Sequence, residues 1–488
     1  VLSWVLALAS AALMILTFPG AAIAWFAPIA LTPLLVAVAR ENRWLRCFLL
    51  GWSAGVVYWF GVCYWIRTVL SEHAGVSGFV AWLLFLLFCV AKAMHLGVFA
   101  MLAGPLMRRW WAIPAVAAWW VAVEVTHGSL GFAWLTLGNA GINMALPMRL
   151  APFTGVYGLS FLFMMMAAAV ALVCLQRRRI ELLWLAPVVL LPLLPPLPPA
   201  EKGRDTALLL QPNLSETEDW TVQKIERTKR DLVTLSLKAA LIESPTPSLI
   251  VWPEAPAPFY YFDDPVFRDY INSLAHATNA HVLAGIVAHA PGGGPLNSAV
   301  LVSPDGVPVS RYDKVNLVPF GEFVPWPFGF ANKISTEVGD YVPGKSVIVS
   351  PIGAHKLGTF ICYESVFPNF VRKFAAGGAE LLVNISNDGW FAKSYARDQH
   401  LAMVRMRAAE NRRWLLRATN DGITATIDTA GRLRGTLPNY IQATSYTGFS
   451  YTAGQTFYTR YGDWFPLLCA IWAVMGLVGT AMPTKFRR

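Results

Sequence analysis

The sequence predicts a helical membrane bundle of about eight spans joined to one layered α/β domain. Three observations predict it. Hydrophobic residues make up 56% of the 488-residue chain, charged residues only 14%, and the mean hydropathy is +0.47; soluble domains ordinarily carry about 25% charge. Apolar runs close to the roughly 20 residues needed to cross a bilayer recur through the first part of the chain and once more near its other end. Between them, 201–463 is polar, and short β-rich runs there alternate with helical patterns.

The apolar runs are 2–19, 21–39, 47–66, 78–107, 110–125, 153–176, 182–198 and 464–482. The first 39 residues carry no charge, which is too long for a signal-peptide core, and Pro19-Gly20 divides them into two spans. Val1 reads as a trimmed start. The fourth run contains Lys92 and His95 and is open to a break at Pro105; the fifth carries Glu124 near its end. Orientation follows from the connections. Arg40, Arg43 and Arg46 follow the second run, Arg108 and Arg109 the fourth, Arg177 to Arg179 the sixth, and Lys485, Arg487 and Arg488 the eighth. The alternate connections are poor in Lys and Arg, so the basic ones face the cytoplasm and 201–463 lies outside. The net charge of +10 is thereby accounted for beside the membrane, and no Lys/Arg stripe suited to nucleic acid is present.

A Pro-rich segment ending at Ala200 reads as a stiff linker into the polar domain. Inside it, strands are expected at 207–211, 249–252, 282–287, 299–302, 347–349, 357–362 and 381–385. Helices are expected at 219–241, 266–278, 366–376 and 396–412. That alternation predicts sheets covered by helices. The resulting division is 1–200 for the membrane domain, 201–463 for the outer domain and 464–488 for a last span with a cytoplasmic tail.

Three segments of the polar domain place an ionisable or nucleophilic group at the end of an apolar run. In Ile250-Val251-Trp252-Pro253-Glu254, a proline ends the strand and presents a carboxylate. Taken alone, Glu254 reads equally as a solvated loop residue. Lys314 and Glu322 flank a hydrophobic loop in Asp313-Lys314-Val315-Asn316-Leu317-Val318-Pro319-Phe320-Gly321-Glu322; alone they read as surface charges. Cys362, in Phe360-Ile361-Cys362-Tyr363-Glu364-Ser365, sits where a strand gives way to a helix, a junction that exposes a side chain and aims N–H groups at it. A buried core cysteine is the alternative. The other five cysteines lie in apolar runs, so Cys362 has no disulfide partner in its own domain.

Together these segments resemble the nitrilase superfamily, with its Glu–Lys–Cys triad in that chain order. The resemblance extends through Asn384-Ile385-Ser386-Asn387-Asp388-Gly389-Trp390, Gln399-His400, Arg405 to Glu410 and Arg417 to Gly422. With the flanking membrane runs it narrows to the apolipoprotein N-acyltransferase family of the bacterial inner membrane. The family implies an α-β-β-α sandwich facing the periplasm. It implies Cys362 as nucleophile, Glu254 as general base and Lys314 as oxyanion stabiliser. Glu322, Tyr363 and Glu364 are implied as supporting residues, with Trp220 beside the substrate. The implied substrates are a phospholipid acyl donor and a diacylglyceryl-apolipoprotein acceptor. The family usually has His two residues after the triad lysine; this chain has Asn316, which bears on local hydrogen bonding. Stretches 323–330 and 389–391 read either as lids facing lipid or as packed loops.

No cofactor is expected. The domain's histidines, His276, His281, His289, His355 and His400, lack zinc spacing and read as structural or surface residues. No glycine-rich phosphate loop follows a strand, which argues against nucleotide dependence. Two other readings compete: a membrane-tethered amidase that uses water as acceptor, and a transporter or lipid-binding module with a vestigial triad. The paired repeats of transporters are missing from the sequence.

Overall fold

The computed structural model describes residues 1–72, 76–129, 132–215, 219–323 and 341–481. The chain forms two compact units. One comprises Val1–Thr68, Ser77–Leu197 and Tyr461–Arg488; the other comprises Val69–Val76 and Pro198–Arg460.

The first unit is helical. Three helices are long and apolar enough to cross a membrane: Trp44–Val62, Gly78–Leu106 and Val156–Cys174. Helices Leu2–Thr17, Ala112–Glu124 and Trp464–Ala481 are apolar but shorter. Two expected spans are not single helices. Run 21–39 gives a 3₁₀ turn at Ala24–Phe26 and a helix only at Thr32–Ala39. Run 182–198 gives 3₁₀ and α turns, Arg179–Leu185, Ala186–Val189 and Leu191–Leu193. Proline is the cause in both: Pro28 and Pro33 in the first, Pro187 and Pro192 in the second, each removing an N–H donor and crowding the preceding turn. Pro105 falls in the last turn of its helix, which ends one residue later at Leu106. Lys92 is buried within the unit, donating to His127 Nδ1 at 2.7 Å and to the Phe132 carbonyl at 3.1 Å. Glu124 is buried, accepting from Leu137 N–H at 2.7 Å and Trp120 Nε1 at 3.1 Å.

The second unit holds two six-stranded sheets. The first, in the order β12-β1-β2-β3-β4-β5, contains β1 (Asp205–Gln211), β2 (Leu249–Val251), β3 (His281–His289), β4 (Pro295–Val302), β5 (Pro308–Asp313) and β12 (Ala443–Phe449). The second, in the order β11-β10-β9-β8-β7-β6, contains β6 (Val349–Ile352), β7 (His355–Ile361), β8 (Leu381–Ser386), β9 (Trp414–Thr419), β10 (Ala425–Ile427) and β11 (Leu433–Thr436). Strands β1, β2 and β3 run parallel, as do β7, β8 and β9.

Alternation along the strands builds the layers. Leu208, Leu210, Ile250 and Val282 pack with Leu232, Phe267 and Ile271 of helices Val222–Ile242 and Pro265–Thr278. Ala207, Leu209, Val251 and Leu283 face the other way, into a core shared with Leu357, Leu382 and Leu416. Helices Pro368–Ala376 and Ala396–Asn411 add Phe370, Phe374, Leu401 and Val404 to that second core. The result is the expected α-β-β-α layering. Helix starts follow local chemistry. Asp264 caps its helix by accepting from Phe267 N–H at 3.0 Å, and Thr221 does the same from Lys224 N–H at 3.3 Å.

Candidate active site

The candidate groups gather where β2, β5, β7 and β8 end. Trp252 N–H still pairs with Leu283 carbonyl at 2.8 Å, then Pro253, which has no N–H, ends the strand and Glu254 turns out of it. This exit crosses β3 at Gly285, where a Cβ would stand 2.2 Å from the Pro253 carbonyl oxygen and 2.8 Å from Glu254 Cα, so only glycine fits. Lys314 follows β5, its N–H held by the Asn297 carbonyl at 2.8 Å and its carbonyl by Gly344 N–H at 2.7 Å. Cys362 follows β7 directly with φ +48°, a left-handed conformation that costs energy for a residue with a side chain, and it opens the 3₁₀ turn Cys362–Val366.

Lys314 is 1% exposed and Glu254 6% exposed, so their pairing is not diluted by water. Lys314 Nζ lies 3.0 Å from Glu254 Oε1 and 2.9 Å from Glu322 Oε1. Asn297 Nδ2 donates to the same two oxygens, at 2.7 Å each. Only the NH2 side of that amide can face two carboxylates, which fixes its orientation. The remaining carboxylate oxygens are met by backbone: Asn387 N–H to Glu254 Oε2 at 2.8 Å, and Val318 N–H to Glu322 Oε2 at 2.8 Å.

The electrostatics follow from burial and these neighbours. Burial opposes the charge on Lys314, but the Glu254 and Glu322 carboxylates outweigh it and hold the ammonium well above the usual lysine range. Burial and then Glu254 push the Cys362 thiol upward, and Lys314 opposes them without prevailing. The sulfur is therefore a neutral thiol at rest. A neutral thiol needs a base at the moment of attack.

Glu364 ties two of these segments together and is fully buried. Its Oε1 accepts from Val315 N–H at 2.7 Å, Asn316 N–H at 3.0 Å and Tyr312 hydroxyl at 2.7 Å; its Oε2 accepts from Ile361 N–H at 2.7 Å. The lysine loop and the cysteine turn are thus clamped through one carboxylate, whose pKa burial pushes up to about 7. Tyr363 is 5% exposed and meets Phe367 edge-on.

Behind the cysteine lies a buried polar network. Arg417 Nη2 binds both oxygens of Asp388, at 2.9 and 2.7 Å, and Arg417 also donates to Asn384 Oδ1. His400 Nε2 is 3.1 Å from the Cys362 carbonyl and 2.7 Å from Ser365 Oγ. Ser386 Oγ donates to Asp388 Oδ1 at 2.7 Å. Gly422 makes room for Asp388: a Cβ there would stand 2.2 Å from Asp388 Oδ2.

The structure therefore brings together Glu254, Lys314, Cys362, Glu322 and Glu364. Trp220 is placed differently: it packs beside the helix-covered core of the first sheet, with Lys224 Nζ 4.9 Å over its ring. Asn297 and Asn387 are functional candidates that sequence reading missed. Asn297 had a usable signal, an amide inside the buried strand Pro295–Val302, where an unpaired polar group is costly. His400, read as structural or surface, is buried against the nucleophile's own peptide. The possible lid 323–330 lies, beyond Phe323, outside the described residues; at 389–391, Phe391 is buried and Trp390 is 38% exposed. Among the described residues, no group of three or more His, Cys, Asp or Glu side chains is placed to hold a metal.

The carbon-nitrogen hydrolase profile matches residues 211–451, and that of the apolipoprotein N-acyltransferase N-terminal domain matches 10–169. An apolipoprotein N-acyltransferase of Geobacter metallireducens is 34% identical, covering 97% of this chain and 94% of its own. One of Nitrosomonas europaea is 31% identical, covering 96% of each chain. Among solved structures, an amidase from Nesterenkonia sp. covers 56% of this chain and 98% of its own, at 17% identity and a TM-score of 0.40. With both of its parts matched and 34% identity sustained over nearly its whole length, the chain belongs to the apolipoprotein N-acyltransferase family.

Proposed function

We propose that this membrane protein moves a fatty acyl chain from a phospholipid, through a thioester on Cys362, to the α-amine of the diacylglyceryl-cysteine of an apolipoprotein. One observation carries the reading: Glu254, an acceptor, and Lys314, a donor, are bonded at 3.0 Å and both act on the buried Cys362 sulfur.

In the first half-reaction, Sγ attacks the ester carbonyl carbon as Glu254 takes the thiol proton. The oxyanion forms against Lys314 and the Tyr363 N–H. The C–O bond to the lysophospholipid breaks, and the Glu254 proton goes to the departing alkoxide. In the second, the acceptor amine attacks the thioester carbonyl and gives its proton to Glu254, the C–S bond breaks, and the departing Sγ takes that proton back as the thiol. Glu322 holds Lys314, Glu364 holds the lysine loop to the cysteine turn, and Tyr363 supplies the N–H.

Both substrates are anchored in lipid, which suits a catalytic domain, 201–463, tethered by spans on either side. We assign eight crossings, several of them through short or proline-broken helical segments, with both ends cytoplasmic and the catalytic domain periplasmic at the inner membrane. The basic connections support that orientation.

Intact-mass analysis after incubation with phospholipid tests the proposal. The expected result is an acyl adduct mapped to Cys362 that disappears on addition of a diacylglyceryl lipopeptide, with N-acylated peptide as product. Free fatty acid with no peptide product would instead establish a hydrolase using water.

A further inference from the structure

The proposed chemistry depends on the peptide between Cys362 and Tyr363, and His400 meets that peptide from behind. The peptide unit is planar and trans, so its C=O and N–H point in opposite directions. The carbonyl belongs to Cys362 and the N–H to Tyr363. His400 Nε2 lies 3.1 Å from the Cys362 carbonyl oxygen, which can only accept, so Nε2 carries a hydrogen and donates it. The ring is fixed in turn. Arg417 Nη2 approaches Nδ1 at 3.2 Å, and Asp388, bound by two contacts to the same Arg417 nitrogen, stands 3.3 Å from Nδ1. All three side chains are fully buried.

Cys362 holds φ +48°, and nothing intrinsic to cysteine favours that angle, so the surroundings must impose it. A hydrogen bond on the carbonyl is one contact that holds this peptide in place, and it also polarises the peptide, strengthening the N–H on the opposite edge as a donor.

We infer that His400 is a positioning residue for the oxyanion hole, aiming and polarising the Tyr363 N–H through the Cys362 carbonyl. The inference rests on the reading of that N–H as the donor to the acyl oxyanion. It assigns the Asp388–Arg417 pair the role of orienting the imidazole. Ser365 Oγ, 2.7 Å from the same Nε2, competes for its hydrogen and weakens the bond to the carbonyl.

The test compares two reactions of the same sulfur in the full-length protein in detergent. Thioester formation from phospholipid passes through a tetrahedral oxyanion. Alkylation by iodoacetamide displaces iodide at a saturated carbon and builds none. His400→Phe is expected to slow thioester formation by ~10²-fold, the size of losing one oxyanion donor, while alkylation stays within about threefold. His400→Gln, which keeps an N–H at the side-chain end, is expected to recover part of the rate. Ser365→Ala removes the competing acceptor and is expected to be no slower than native. Parallel loss of both reactions in His400→Phe would show that the histidine merely seats the sulfur, and an unchanged thioester rate would overturn the inference outright. So would slowing in Ser365→Ala equal to that in His400→Phe. Native protein that forms no adduct at Cys362 at all would defeat the acyl-transfer reading itself, an outcome distinct from any of these.

Discussion

Glu254 and Glu322 meet the same two donors: each offers its Oε1 to Lys314 Nζ, at 3.0 and 2.9 Å, and to Asn297 Nδ2, at 2.7 Å. Two carboxylates so close would ordinarily share a proton. The ammonium and the amide stand between them as shared donors. Asn297→Ala leaves the ammonium as the one remaining donor to the two Oε1 oxygens among the described residues and removes two hydrogen bonds to carboxylate acceptors, each of about 1.5–3 kcal/mol. Acyl-enzyme formation is expected to fall by roughly 10- to 100-fold, as though one such bond were lost from the transition state. Asn297→Asp should be worse, because a third carboxylate forces protons onto the cluster. The acid limb of its rate profile should move to higher pH, measured as single-turnover rate from pH 5 to 9. A profile superimposable on the native one would show that Asn297 has no part in governing these charges.

Glu254 has two opposed effects on Cys362, and a single substitution separates them. Its charge raises the pKa of the resting thiol, yet its basicity is needed during attack. Glu254→Gln removes both. Beside Lys314, the thiolate then becomes easier to form, so iodoacetamide should alkylate Cys362 faster at a given pH. Thioester formation should nevertheless fall by about 10²–10⁴-fold, the usual worth of a positioned general base. If alkylation slowed along with acylation, the carboxylate would be promoting ionisation of the resting thiol, contrary to the electrostatics of the site.

Glu364 sets a pH dependence in which stability and activity run opposite ways. Burial pushes its folded pKa up to about 7, above the ordinary glutamate value of about 4.3. A raised carboxyl means that the folded protein holds the proton more tightly than the unfolded chain. Its contribution to stability is complete below about pH 4.3 and is lost as pH rises through about 7, on the order of 3 kcal/mol in total. The ionised form, by contrast, is the one that satisfies the four donors of Val315, Asn316, Tyr312 and Ile361. Acylation should therefore rise through pH 7 while this contribution to stability falls. Melting curves from pH 5 to 8 on native protein and Glu364→Gln check it: the variant melts lower throughout and loses this part of the pH slope. Equal slopes would place the titration elsewhere.

The sequence made the ends of β2, β5 and β7 legible because each pairs an apolar run with a chemically distinctive residue. It also made the layered domain legible, through runs such as Leu208 to Leu210 and Leu381 to Ile385. Edge and late strands were less visible. β12 is only partly buried through Tyr446 and Thr447, and β5, with Pro308, Ser310 and Arg311, has no apolar run to mark it. β6 starts later than its apolar residues suggest and accepts Pro351 because it lies at the sheet's edge. Membrane segments 21–39 and 182–198 looked continuous by hydropathy, which weighs composition and overlooks the cost of proline to a helix. The roles of Asn387 and His400 were not legible, since their significance lies in partners from distant segments.

The Asp388–Arg417 pair allows a prediction about stability that is separate from chemistry. Both side chains are 0% exposed, joined at 2.7 and 2.9 Å. Burial alone would raise the Asp388 pKa, but Arg417 and His400 hold it far below the usual carboxylate range. A depressed carboxyl contributes stability above its unfolded pKa, near 3.9, and that contribution is lost as pH falls through the folded value. At neutral pH the pair is therefore fully charged, and removing one member strands the other charge in the core. Arg417→Met and Asp388→Leu should each destabilise the protein by about 3–5 kcal/mol. The double substitution should cost less than the sum, because no isolated charge is left behind. Thermal melting of the three variants reads this directly. Strict additivity would mean that water or other dipoles already solvate each charge, and the two side chains would then be neighbours without being a pair.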